Sequence, residues 1–172
     1  IGHHLGGVLG NAGAKVALGT RREEKVQVRV GEIRAAGGCA TGIRLDVRDS
    51  SSIGEFLDTA CETYGSIDVV INNAGVEPGP KTYAMIYEAD WDLVMETNLK
   101  AVWLMSKAYT EQVMKAGRER GNIVNISSIT DTRAIKSQFP SAVSKGALTR
   151  MTDVTALEAA RSGIGVNPLA PR

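Results

Sequence analysis

Residues 67–71 read Ile-Asp-Val-Val-Ile, a short and almost unbroken apolar run. A strand of that kind has no solvated face. It must be covered on both sides, which is the situation of a strand inside a parallel sheet flanked by helices. The remainder of the chain supplies the covering by alternation. Short apolar segments at 15–20 (KVALGT), 39–47 (CATGIRLDV), 122–126 (NIVNI) and 165–169 (GVNPL) take turns with longer helical stretches. This order predicts an α/β protein with a doubly wound parallel sheet.

The helices declare themselves by period. Ile53, Phe56, Leu57, Ala60, Cys61 and Tyr64 recur at three- and four-residue steps, with Ser52 and Glu55 at capping-box spacing before them and Gly65 placed to end the helix. A charged helix over 21–36 turns Val26, Val30 and Ile33 inward, a long one covers 88–116, and a last one covers 141–160. In the opening stretch Leu5, Val8, Leu9 and Ala12 share a face. Gly6, Gly7 and Gly10 each cost about 1 kcal/mol there relative to alanine, so they imply close helix-to-sheet packing. Trp91 and Trp103 fall among Leu93, Val94, Val102 and Met105, an apolar surface read as core.

A chain of 172 residues is one domain rather than two. Its net charge of +1, with Lys and Arg spread along the length, gives no electrostatic case for nucleic acid or an anionic membrane surface. No apolar run approaches the ~20 residues needed to span a bilayer, and the N-terminus lacks the order of a signal peptide. Cys39 and Cys61 have no metal-ligand spacing and read as reduced core thiols of a cytoplasmic protein. His3 and His4 are adjacent and point to different sides of a helix, so no metal site is expected.

Several short motifs bear on chemistry. A dinucleotide fold needs a glycine turn before its first helix, whereas this chain goes from Ile1-Gly2 straight into one. The opening stretch looks like the second half of such a unit, with Gly2 as a remnant of the turn; a ragged terminus reads equally well. Thr20-Arg21-Arg22 follow the first visible strand. An acid there would suit the ribose hydroxyls of NAD(H), while arginine suits a 2′-phosphate, so NADP(H) is favoured and NAD(H) remains possible. The plain alternative is two solvated arginines. Asp46 and Val47 close the next strand, where a carboxylate can accept from an adenine amino group or simply cap the turn. Asn72, Asn73, Ala74 and Gly75 follow the buried strand, either as a cofactor floor or as an Asx-rich turn.

Taken in order, LDV, NNAG, Asn98 within TNLK, NIVNISS ending at Ser128, Lys145 seventeen residues on, and VNPLAP near the end form a series. It resembles the short-chain dehydrogenase/reductase family over essentially the whole chain. The resemblance implies a Rossmann-like NAD(P)-binding domain in which Ser128 hydrogen-bonds the substrate oxygen and Asn98 holds a water in a proton relay. Lys145 would bind the nicotinamide ribose and lower the pKa of a catalytic tyrosine four residues before it. Asp46, Val47 and residues 72–75 would line the cofactor groove. It also implies a small carbonyl or alcohol substrate, and a homodimer or homotetramer built through the 88–116 and 141–160 helices.

The series breaks at one place. The family's YxxxK reads Ser141-Ala142-Val143-Ser144-Lys145, with Ser141 thirteen residues after Ser128. Either serine has replaced the tyrosine, or a tyrosine is missing between Ser141 and Ala142. General acid/base catalysis contributes ~10²–10⁴-fold, so a loss near that size is expected. Tyr64, Tyr83, Tyr87 and Tyr109 lack a lysine four residues on and offer no substitute. The family pattern also leads us to expect a single domain over 1–172, incomplete at both ends. The strand between those at 15–20 and 67–71 is missing, and the family's PG becomes Pro171-Arg172 with no substrate lid beyond it.

The function expected is an NADP(H)-dependent oxidoreductase scaffold, impaired by Ser141. The alternative is a non-catalytic nucleotide-binding protein that senses redox state or partners another subunit. A Rossmann-like methyltransferase fits poorly, since it would want an acid after residues 15–20.

Overall fold

The computed structural model describes residues 1–171; Arg172, where the family segment has glycine, lies outside the described residues. The chain forms two compact units, Ile1–Ile67 and Asp68–Arg172. Every strand pairing in both is parallel, as expected of a Rossmann-like α/β fold.

The first unit runs α1 (Gly2–Asn11), β1 (Lys15–Thr20), α2 (Glu23–Ala35), β2 (Cys39–Arg44) and α3 (Ser50–Tyr64). Strand β1 pairs with β2 in register from Lys15↔Cys39 to Thr20↔Arg44. Its core gathers Val26, Val30, Ile33 and Ala40, with Val16 and Leu18 packed against them. Helix α1 buries Gly6, Gly7 and Gly10, the close packing expected of them, while on the apolar face Leu5 and Leu9 are only half-buried and Val8 and Ala12 are exposed. A Cβ at Gly6 would stand 2.9 Å from Leu18 Cδ2, and one at Gly10 2.5 Å from Ile33 Cγ2. The glycines let α1 approach both β1 and α2 at backbone distance, and a count of apolar side chains does not register that.

Three further expectations are corrected in this unit. Cys39 is exposed and Cys61 half-buried; both are free thiols, but neither belongs to the core. The Cys39 thiol faces the Tyr64 hydroxyl at 3.8 Å. Asp49, not Ser52, caps α3, its Oδ1 accepting the Ser51 N–H at 3.0 Å. Ser52 is buried instead, and its Oγ accepts the Asp46 N–H at 3.0 Å. That bond belongs to a turn, so β2 stops at Arg44 rather than running to Val47. Gly65 ends α3 as expected, at φ 86.

The second unit runs β3 (Val69–Asn72), α4 (Glu88–Met95), a π turn (Glu96–Lys100), α5 (Ala101–Lys115), β4 (Gly121–Ile126), α6 (Phe139–Ala159) and β5 (Ile164–Leu169). The sheet order is β3-β4-β5, so β4 is central. Tyr109 on α5 is completely buried, and its hydroxyl donates to the Asp68 carbonyl at 3.1 Å. Arg118 pairs with Asp68 at 2.5 Å, so the basic run after α5 is not wholly solvated. Trp103 is 49% exposed and lines a groove of about 360 Å³ with Met95, Leu99 and Met151. No described helix is long and apolar enough to cross a membrane.

Candidate active site

The end of β4 organises the second unit's chemistry. Ile126 is the last strand residue and Ser128 stands two residues on, in extended backbone. The Ser128 hydroxyl accepts the Thr130 N–H at 3.2 Å, opening a short turn over Ile129–Asp131. With that lone pair engaged, its proton is free to donate to a ligand oxygen. Lys145, in the second turn of α6, donates from Nζ to the Ile126 carbonyl at 2.6 Å. Burial holds its ammonium below the usual lysine range, because desolvation disfavours the charged form. The hydroxyl-bearing residue and the amine's anchor are thus two positions apart on one strand end.

Asn98 reaches the same region from the other side of the sequence. The expected continuous helix over 88–116 is interrupted by the π turn, and Asn98 lies within it, 1% exposed. Such bulges are frequent at functional positions because the extra residue re-aims a side chain. The Asn98 amide makes a reciprocal pair with Val76, accepting its N–H at 2.8 Å and donating to its carbonyl at 3.1 Å. It also donates to Ser144 Oγ at 3.3 Å. Val76 directly follows Gly75, so Asn98 joins the end of the NNAG turn to the residue before Lys145.

Asn72 anchors the start of that turn. Its Nδ2 donates to Asn125 Oδ1 at 2.9 Å and lies 3.3 Å from Ser106 Oγ; Asn125 Nδ2 in turn donates to Thr152 Oγ1 at 2.9 Å. Asn73, Ala74 and Gly75 are exposed, leaving their backbone open to a ligand. The sequence did not single out Asn125, Ser144, Thr149 or Thr152. The one signal was position: Thr149 and Thr152 repeat at four-residue steps from Lys145 and Leu148, on the helix face that meets β4.

Ser141 occupies the first turn of α6 and is half-buried. Its carbonyl accepts the Ser144 hydroxyl at 2.8 Å. Its own hydroxyl has no partner among the described residues. Tyr83 and Tyr87 are exposed, Tyr83 packing on Phe139 at 6.2 Å between centroids and Tyr87 lying under the Lys81 ammonium at 4.5 Å.

The remaining expected site residues belong to the first unit. Gly2 is the first residue of α1. Arg21 is exposed directly after β1, and Arg22 precedes α2 with its N–H on Thr20 Oγ1 at 3.3 Å. Asp46 accepts the Arg48 N–H at 3.1 Å, and this bond keeps its carboxyl below the usual carboxylate range despite partial desolvation. Val47 beside it is half-buried.

Parallel strand pairing throughout, with a serine at a strand end, a half-buried lysine and an exposed small-residue turn, defines a Rossmann-like α/β protein. The chain belongs to the short chain dehydrogenase family, whose profile matches residues 1–172. A Streptomyces virginiae protein assigned as the monensin polyketide synthase ketoacyl reductase is 36% identical, over 99% of this chain and 65% of its own length. The actinorhodin polyketide ketoreductase F189W, solved with NADPH, superposes with a TM-score of 0.92 at 34% identity, over 98% of this chain and 64% of that one. A gluconate 5-dehydrogenase from Burkholderia cenocepacia J2315, solved with NADP and tartrate, gives a TM-score of 0.89 at 30% identity, over 97% of this chain and 64% of that one. The chain spans 62 to 65% of the length of such named relatives.

Proposed function

We propose that residues 1–172 form a single NADP(H)-binding domain of an oxidoreductase that interconverts a carbonyl and a secondary alcohol. The observation that carries this reading is the Lys145–Ile126 bond at 2.6 Å, which sets a half-buried amine at the strand end that bears Ser128. The residues present suit a dinucleotide. Asn73, Ala74 and Gly75 expose backbone. Lys145 keeps N–H groups beyond the one given to Ile126, suited to ribose hydroxyls. By the family resemblance Arg21 would take the 2′-phosphate, and Asp46 and Val47 the adenine side. When bound, the nicotinamide supplies or accepts the hydride.

This chain's own residues handle the oxygen. Ser128 donates a hydrogen bond to the substrate oxygen as negative charge develops there, the arrangement of an oxyanion site. Asn98 fixes the NNAG turn, and the water of the proton relay is held beside it. At position 141 the acid is absent. A serine hydroxyl lacks the ring that spreads a phenolate's charge, and turnover is reduced accordingly. The substrate is a small carbonyl or alcohol compound, in keeping with the relatives' names. The apolar groove beside Trp103 is the face through which copies of the chain associate, and the two free thiols fit a cytoplasmic setting.

The test is NADPH binding followed by fluorescence, with NADH as comparison, in the wild type and in Ser141→Tyr. NADPH binding with hydride transfer raised about 10²–10⁴-fold by the tyrosine supports the enzyme. The Ser141 side chain itself favours a second reading, a nucleotide-binding partner subunit without turnover. NADPH binding with unchanged inactivity in Ser141→Tyr supports that one, and no NADPH binding defeats both.

A further inference from the structure

The turn that carries Ser128 is fastened to α6 by a carboxylate that the site described above does not use. Asp131 Oδ2 accepts the Thr149 hydroxyl at 2.9 Å and the Ser127 hydroxyl at 3.2 Å. The two hydroxyls also lie 3.1 Å from each other, closing a three-membered cluster. Ser127 is buried at 4% exposure and immediately precedes Ser128. Thr149 is one helical turn beyond Lys145, so the two share a face of α6. The backbone is close as well: a Cβ at Gly146 would stand 3.7 Å from the Asp131 carbonyl.

We propose that Asp131 is a positioning residue, whose carboxylate clamps the Ser128 turn onto α6 and so fixes the Ser128 hydroxyl relative to the Lys145 ammonium. The chemistry favours a carboxylate in this place. It accepts two hydroxyl protons on one oxygen, and bonds to a charged acceptor are roughly twice as strong as neutral ones. The cluster joins segments that contribute opposite halves of the site. One is Ser127–Ser128 at the β4 end, the other is the Lys145–Thr149 turn of α6. Without the clamp, the turn over Ile129–Asp131 keeps the Thr130 N–H to Ser128 Oγ bond and its own backbone closure at Asp131, Thr132 and Arg133.

The inference rests on reading Ser128 and Lys145 as the acting pair, but its test needs neither cofactor nor turnover. Amide hydrogen exchange is measured on the full chain for Asp131→Ala, Asp131→Asn and Thr149→Val. The Thr130 amide, which reports the Ser128 hydroxyl directly, is expected to exchange about tenfold faster in Asp131→Ala and in Thr149→Val, with β4 and α6 protection unchanged. The double variant adds nothing to either single one, since both remove the same clamp. Asp131→Asn keeps a carbonyl acceptor and restores most of the protection. Unchanged Thr130 exchange in both single variants overturns the proposal. So does a uniform rise across β4 and α6, which would make Asp131 an ordinary packing residue. An NADPH-binding failure with the local exchange pattern intact would remove the proposed function and leave the clamp standing.

Discussion

Lys145 donates to the carbonyl oxygen of Ile126 at 2.6 Å, tying the second turn of α6 to the last residue of the central strand β4. The bond holds a cation in a half-buried place where desolvation works against its charge.

That opposition has a pH signature. The folded state holds the Lys145 pKa below its unfolded value of 10.5. Between the lowered pKa and 10.5 the unfolded chain binds more protons than the folded one, so stability rises with pH through that window. Lys145→Met keeps the aliphatic stem and removes the titration. Thermal unfolding measured across the alkaline range should show a rising component in the wild type that is missing in the variant.

Asp49 titrates in the opposite sense. Its carboxyl is held below the usual range first by the Ser51 hydroxyl and then by the Ser51 N–H, both at the start of α3. A depressed carboxylate stabilises the fold above its unfolded pKa, and the contribution is lost as pH falls through the folded pKa. Asp49→Ala should lower the melting temperature at neutral pH and flatten its acid dependence; Asp49→Asn, which still caps, should lose less. Calorimetry across the acid range reads both.

The glycines divide by their surroundings. At Gly54 in α3 an added Cβ would meet nothing within 4 Å, whereas one at Gly10 in α1 would stand 2.5 Å from Ile33 Cγ2. Gly54→Ala should stabilise by roughly 0.5–1 kcal/mol through helix propensity and a less flexible unfolded chain. Gly10→Ala gains the same propensity but overpacks a buried contact at a cost of ~1–3 kcal/mol, so it should destabilise. Urea unfolding of the two variants settles the sign of each.

Thr152 closes the polar line that begins at Asn72. Its hydroxyl accepts the Asn125 Nδ2 at 2.9 Å and donates to the Leu148 carbonyl at 2.7 Å. Thr152→Val keeps the shape but strands a buried amide donor, which costs ~1–3 kcal/mol. Chemical denaturation should show that loss, and NADPH binding should weaken with it, because Asn125 also supports Asn72 at the head of the NNAG turn.

Much of this protein was settled locally. The strand at 15–20 follows from its short apolar run, and the helix of Ile53, Leu57 and Ala60 from side-chain period, since burial of one helix face repeats with the geometry of the backbone. The order of LDV, NNAG, NISS and Lys145 carries the family resemblance without any tertiary contact. The serine at 141 is likewise plain in the sequence. What packing decided are matters of partner and register. Asn98 turned inward only because a π turn interrupts a helix whose apolar pattern reads as continuous. The glycines of α1 implied close packing, but that Leu18 and Ile33 are the side chains they meet was set by the fold. Asn72 meets Asn125 across 53 residues, and Asp131 meets Thr149 across 18. Periodicity reports how deeply a residue is buried. It says nothing of which distant group will satisfy the hydrogen bond that burial demands, and that choice belongs to the tertiary fold.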